Sequence, residues 1–264
     1  MALVAPAPIG FERSTVPGAG LEDLDLAALA TYLRQRSPAL AGTLGTEGLA
    51  ARLGLLVPAT GGPVPTIAAL LAFGTAPQLH RPEWGVSAIR VAGHTLADPI
   101  VARADLEGDL PTLLAGAMDF VRAHARAVAD LLRPGDTRPE HPEEAVREAL
   151  VNALIHRDLR HSGRVALRIF DDRLEITSPG GLPAPLPLDE LAHQGGLSMP
   201  RNPLLAAVAR GLGLCEQVGR GLPVIRSAVA SRSPTPVTFL ANQFEVRVVL
   251  PSALGPQASA RLGN

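Results

Sequence analysis

Glu148, Asn152 and His156 stand four residues apart in the stretch EEAVREALVNALIHRD, residues 143–158. On a helix, residues four apart lie one turn above another on the same face, so a carboxylate, an amide and an imidazole would form one polar row. Oxygen donors of this kind suit a hard divalent cation, and a carboxylate can orient a water or take its proton. Leu150, Val151 and Leu154 supply an apolar side, and Pro142 stands where a helix start tolerates proline. A solvated helix face explains the same row without any chemistry. Spacing alone leaves both readings open.

Two glycine turns bear on that choice. Gly180 and Gly181 follow an alternating apolar segment, and Gly219-Arg220-Gly221 opens a helical one. Glycine lets a backbone come close to phosphate, and a helix N-terminus offers amide N–H groups to an anion. A helix with Glu and Asn four apart, a glycine loop after a strand and a glycine turn before a later helix are the parts of a nucleotide site. A P-loop is excluded, because it needs a lysine and the 24 basic residues are all arginine.

The elements that would hold these groups can be read from periodicity. Helices are expected over Leu21–Arg36, Thr46–Leu53 (ended by Gly54) and Leu110–Leu132, with an apolar run TIAALLAFG between the second and third. Val86–Val91 and Ile100–Leu106 read as strands. Three prolines and a glycine in PGDTRPEHPEE mark the main boundary. Beyond it come the helix 143–157 and a hairpin: Val165, Leu167 and Ile169 alternate, as do Leu174 and Ile176, with Asp171-Asp172 as the turn. A short helix near Leu188–Ala192, helices at 202–210 and 219–229, and two strands around Asn242 complete the pattern. The expected organisation is a flexible arm at 1–20, a helical and mixed α/β connecting region at 21–133, a nucleotide-binding domain at 141–251 and a disordered tail at 252–264.

With 47% hydrophobic and 19% charged residues and a formal net charge of −1, the chain can build a core and has no overall pull toward nucleic acid. One cysteine, Cys215, in LGLCEQ, excludes an internal disulfide and multi-cysteine metal sites and reads as a buried small residue. No apolar run approaches the roughly 18 residues of a membrane span, and the N-terminus lacks a secretory pattern; a cytoplasmic protein with no membrane partner is expected.

The segments EALVNALIHRD, RIFDDRLEITSPGGLP, MPRNPLLA and GRGLPVI resemble the RecG-like C-terminal domain of the Schlafen-AlbA-associated predicted transcriptional regulator family. That domain is similar to a divergent GHKL (Bergerat-fold) ATPase, and the resemblance covers about residues 16 to 250. It implies an α/β sandwich binding ATP and Mg²⁺. Asn152 would hold the metal, and Glu148 would orient or deprotonate the attacking water. Gly180 and Gly181 would line the adenine side, Gly219 and Gly221 would lie under the phosphates, and residues 184–218 would form a lid. Ser178 stands where relatives place the aspartate that accepts the adenine amino group. Arg220 is the one counterpart of a γ-phosphate lysine. Arg201 and Asn202 would contact phosphate or position the lid, or Asn202 simply caps the helix after it.

Rival motifs are thinner. His156-Arg157-Asp158-Leu159 mimics a kinase catalytic loop, but Gly163 stands where the asparagine belongs and no lysine exists. His156 and His161 lack the accompanying ligands of a metal site. Two other functions stay open beside an ATP-binding regulator with slow or no hydrolysis: a non-catalytic dimerisation or interaction module, forming a homodimer, and a DNA-binding regulator. Residues 141–250 carry 12 arginines against 11 acids, so DNA contact, direct or through a partner protein, would need a local patch.

Overall fold

The structure, a computed structural model, describes residues 10–129, 137–182, 188–196, 199–215 and 219–254. Asp25 caps α1 (Leu26–Arg36) by accepting the Ala28 N–H at 2.9 Å. Helix α2 (Pro38–Leu53) breaks at Gly45, where φ is 68°, and ends at Gly54 in the left-handed region, so the expected helix at 46–53 is its second part. A two-residue hairpin, β1 (Leu56–Val57) with β2 (Val64–Pro65), leads into α3 (Ile67–Phe73), all of whose residues are buried. Strands β3 (Val86–Val91) and β4 (Ile100–Leu106) precede α4 (Leu110–His124).

The helix expected to reach Leu132 stops at His124; Ala125 is extended and the chain enters β5 (Ala127–Ala129), paired with β6 (Thr137–Pro139). The cause is a buried carboxylate. Glu140 accepts the Arg126 backbone N–H at 2.9 Å and bonds from its guanidinium at 3.0 and 3.2 Å. Such a group must have donors, and Arg126 can deliver both sets only out of the helix.

Next come α5 (Glu143–His156), β7 (Val165–Ile169), β8 (Arg173–Pro179), α6 (Leu188–Gln194), α7 (Pro203–Gly211), α8 (Gly221–Ala230), β9 (Thr238–Ala241) and β10 (Glu245–Pro251). Six strands form one mixed sheet in the order β4-β3-β7-β8-β10-β9, antiparallel except for β3 with β7. Across it Ala88, Leu167, Ile176 and Val248 stand in register and are buried, so one face carries a continuous apolar row. Helices α4 and α5 pack on that face, giving an α/β sandwich. Eight apolar residues of α5 are buried, Leu150 fully, each contributing ~1.5–3 kcal/mol if large.

The boundary expected at the proline-rich linker does not divide this sheet: β3 and β4 come from before it and β7–β10 from after it. Residues 10–20 of the expected flexible arm are tied down, with Val16 and Ala19 buried and Thr15 bridged to Thr66. Glu12 is fully buried, and its Oε1 accepts the Leu204 N–H at 2.9 Å, capping α7. Expectations for residues 1–9, linker residues 130–136, lid residues 184–187, 197–198 and 216–218, and the tail from 255 lie outside the described residues.

Candidate functional site

Helix α5 packs against β8, β10 and α8. Between them is a cavity of about 440 Å³, large enough for a small organic ligand. Glu148, Asn152 and His156 line it as the row that the spacing predicts. Ile176, Val246 and Val248 of the sheet make an apolar floor, and Ser178 and Gly181 stand at the end of β8. Gly219, Arg220 and Gly221 close the wall at the start of α8.

The glycine turn is explained by contact. Gly219 has φ 63°, and a Cβ on Gly221 would collide with Glu148 Oε1 and lie 2.9 Å from Asn152 Nδ2. Only a residue without a side chain brings the first turn of α8 against the Glu148–Asn152 row. The first intrahelical bond there runs from the Val224 N–H to the Arg220 carbonyl at 2.9 Å. The Gly221 and Leu222 amides therefore have no intrahelical partner, while Pro223 has no N–H, and the helix dipole adds partial positive charge at that end.

Gly180, Arg201 and Asn202 are not in the cavity wall. Gly180 has φ 91° and passes so close to Asp158 that a Cβ would overlap that side chain. Arg201, 4% exposed, donates to Asp158 Oδ2 at 3.3 Å and to the Gly181 carbonyl. Asn202 makes no side-chain cap for α7; its Nδ2 donates to the carbonyls of Ile155 and Arg157 at 2.8 and 2.9 Å. Near its C-terminal end α5 thus has two carbonyls that accept from elsewhere in the chain, Ile155 from Asn202 and Ala153 from Ser178, whose Oγ donates at 2.9 Å. In the structure Asn202 braces the end of α5, and Arg201 ties Asp158 to the 180–181 loop. Arg157 and Asp158 of the kinase-like tetrapeptide are structural too: Arg157 is buried and donates to the Gly163 carbonyl at 2.8 Å.

Burial pushes the His156 imidazole down to about 4, with the Arg201 charge adding to the effect, so it is neutral at pH 7. Burial, then the Glu148 charge, raises the Cys215 thiol, which lines the same cavity and stays protonated. Sequence reasoning missed Cys215 as a wall residue, and missed Val246 and Val248; the alternation along β10 was the available signal for the last two. Among the described residues no three His, Cys, Asp or Glu cluster to hold a metal by themselves.

The His156 shift has a measurable consequence. Unfolded, the imidazole titrates near 6.5, and folded at about 4. Between those values the unfolded chain holds the proton and the native chain does not, so stability falls as pH drops from 6.5 and the contribution is fully lost below 4. Urea denaturation at pH 7 and pH 4.5 should show a smaller loss in His156→Gln than in the parent, by on the order of 1–2 kcal/mol after discounting for water in the cavity. Equal losses in both proteins would refute a neutral His156 in the native state.

The fold and the cavity define an α/β sandwich with a pocket between a polar helix row and the N-terminus of a glycine-opened helix. Residues 163–250, from just before β7 into β10, match the family model described as "Putative ATP-dependent DNA helicase recG C-terminal", in agreement with the RecG-like resemblance of the sequence. The structure is similar to the crystal structure of the DIP2311 protein from Corynebacterium diphtheriae, with 25% identity and a TM-score of 0.65 over 91% of this chain and 47% of that one. The chain spans about half the length of that protein. No curated protein matches it. No helix among the described residues is long and apolar enough to cross a membrane.

Proposed function

We propose that the chain is an ATP- and Mg²⁺-binding regulatory protein of the RecG-like type, its C-terminal half a divergent GHKL (Bergerat-fold) domain. One observation carries this reading: the first turn of α8 is pressed by Gly221 against the Glu148–Asn152 row. That contact joins an anion-favouring helix end to two oxygen-bearing side chains across one cavity. Mg²⁺ commonly takes one or two protein oxygens and completes its shell with phosphates and water, which fits a site offering Asn152 and Glu148 rather than a full cage. The metal would neutralise phosphate charge. Asn152 would hold it, the Gly221 and Leu222 amides would face the phosphates, and Glu148 would orient a water for slow hydrolysis.

Calorimetric titration with ATP and Mg²⁺ tests this. The parent should bind, and Asn152→Ala should bind at least about tenfold more weakly, as loss of a metal-site residue does. No binding by the parent at millimolar nucleotide would sink the reading. A second reading, an interaction module forming a homodimer, has its own support: β4 is a sheet edge with Ile100 and Val101 more than half exposed, and such edges pair readily. It would survive that outcome. A role in transcription, with DNA reached directly or through a partner protein, rests on the family resemblance alone.

A further inference from the structure

Helix α7 is capped from the far end of the chain. Glu12, in the 3₁₀ turn Phe11–Arg13, is fully buried, and its Oε1 accepts the Leu204 N–H at 2.9 Å. Pro203 has no N–H, so this amide is the first that α7 can offer; Asn202, just before the helix, makes no cap because its side chain is bonded to the end of α5. Glu12 takes the place of a local cap. Its second oxygen, Oε2, is buried without a hydrogen-bond partner among the described residues. Burying a carboxyl with one oxygen unpaired is costly, so the contact places the turn with little net gain.

The arm is held unevenly around this contact. From Ser14 onward it is fixed to the body: the Ile67 N–H donates to the Ser14 carbonyl at 2.8 Å, Thr15 is bridged to Thr66, and Val16 and Ala19 are buried. Before Ser14, Glu12 carries the polar tie to α7. The other side of α7 faces the cavity, where Ala206 and Arg210, four apart and so on one face, form part of the wall. The N–H groups of Leu212, Gly213 and Leu214 donate to the Val208, Arg210 and Ala209 carbonyls at 2.9, 3.0 and 2.9 Å. They hang the segment leading to Cys215, another wall residue, on the last turn of the helix. One helix thus meets the arm at its start and the cavity along its side.

We propose that the turn Phe11–Arg13 is a releasable latch on the cavity wall. Docked, Glu12 holds α7 where Ala206, Arg210 and Cys215 wall the cavity. Undocked, the turn swings about Ser14, α7 loses its cap, and that wall loosens. A partner acting on the residues ahead of Gly10 then reaches the cavity through α7. By linkage, a ligand that needs the closed wall holds the latch shut by the same factor. The inference concerns the wall itself and holds whichever ligand fills the cavity.

Cys215 is the single cysteine, so its alkylation by iodoacetamide in the full chain reads the wall directly. Burial and the Glu148 charge keep the thiol protonated, and a loosened wall relieves both, so release of the latch speeds labelling. Glu12→Ala should label about five- to tenfold faster than the parent, the factor that loss of a helix cap carries. Glu12→Gln keeps an oxygen for the Leu204 N–H and should label at nearly the parent's rate. The rise in Glu12→Ala should be insensitive to low urea, because a local opening exposes little surface. Ile169→Ala, a truncation of a fully buried residue in β7, is the control: it lowers global stability, read through the emission of Trp84, and should leave labelling in water unchanged. A Glu12→Ala rate equal to the parent's would overturn the latch. So would a rise that Ile169→Ala matches at the same loss of stability, which would make Glu12 a structural residue only. If Glu12→Ala does not fold, hydrogen exchange in the parent decides. The amides of residues 11–13 and of the first turn of α7 should open together and well before those of β8, and opening only along with the sheet would overturn the proposal.

Discussion

Replacing Gly221 with alanine is expected to weaken Mg²⁺–ATP binding about a hundredfold while leaving the fold nearly as stable as the parent's. The added methyl would collide with Glu148 Oε1 and crowd Asn152 Nδ2. Both are the outer ends of flexible side chains. They can swing away at little cost, and Gly→Ala at the first helical position of α8 recovers up to ~1 kcal/mol of helix preference. Stability is thus expected to change by less than ~1 kcal/mol, a shift of melting temperature within about 2–4 °C. Affinity has no such escape. The carboxylate and the amide leave the positions from which they would face metal and phosphate, and a displacement near 1 Å at such a site can cost about a hundredfold. Calorimetry gives the affinity and Trp84 emission the melt, since Trp84 is the single tryptophan and is buried. Unchanged affinity with an unchanged melt would show that the Glu148–Asn152 row does not touch the nucleotide.

The features that were legible in the sequence are those with a local signal. Alternation placed β7 and β8 and their Asp171-Asp172 turn, and the limits of β3 and β4 agree with the structure to the residue. The Glu148, Asn152, His156 row follows from a period of four, and the turn at 219–221 from glycine spacing. What stayed hidden depends on partners far along the chain. The end of α4 is dictated by Glu140, 14 residues from Arg126. The cap of α7 comes from Glu12, 192 residues from Leu204, so Asn202 was free to be spent on α5 instead. No window of sequence contains both members of such pairs. The glycine pair at 180–181 shows the same limit at close range, since one glycine lines the cavity and its neighbour serves packing.

Gly180→Ala should accordingly be among the most damaging small substitutions in the chain. Two costs coincide there. At φ 91° an L-residue bears the left-handed penalty, ~1–2 kcal/mol, and a Cβ would overlap that of Asp158. Neither neighbour can retreat: the Asp158 N–H donates to the Pro179 carbonyl at 2.8 Å, and the Gly180 N–H donates to the Phe244 carbonyl at 2.6 Å. Asp158 is held besides by Arg160 and Arg201 at 3.0 and 3.3 Å. Overpacking of a fixed backbone adds ~1–3 kcal/mol, for a total of about 2–5 kcal/mol. Gly18 separates the two contributions. Its φ is 81°, yet nothing lies within 4 Å of the position a Cβ would take, so Gly18→Ala should cost the conformational part alone, ~1–2 kcal/mol. Denaturant midpoints followed through Trp84 emission would rank the pair. Equal losses would mean that the packing of Asp158 against Gly180 contributes nothing. A larger loss at Gly180 would show that the end of α5 and the start of the 180–181 loop form one rigid corner, from which Gly181 and Ser178 are presented to the cavity.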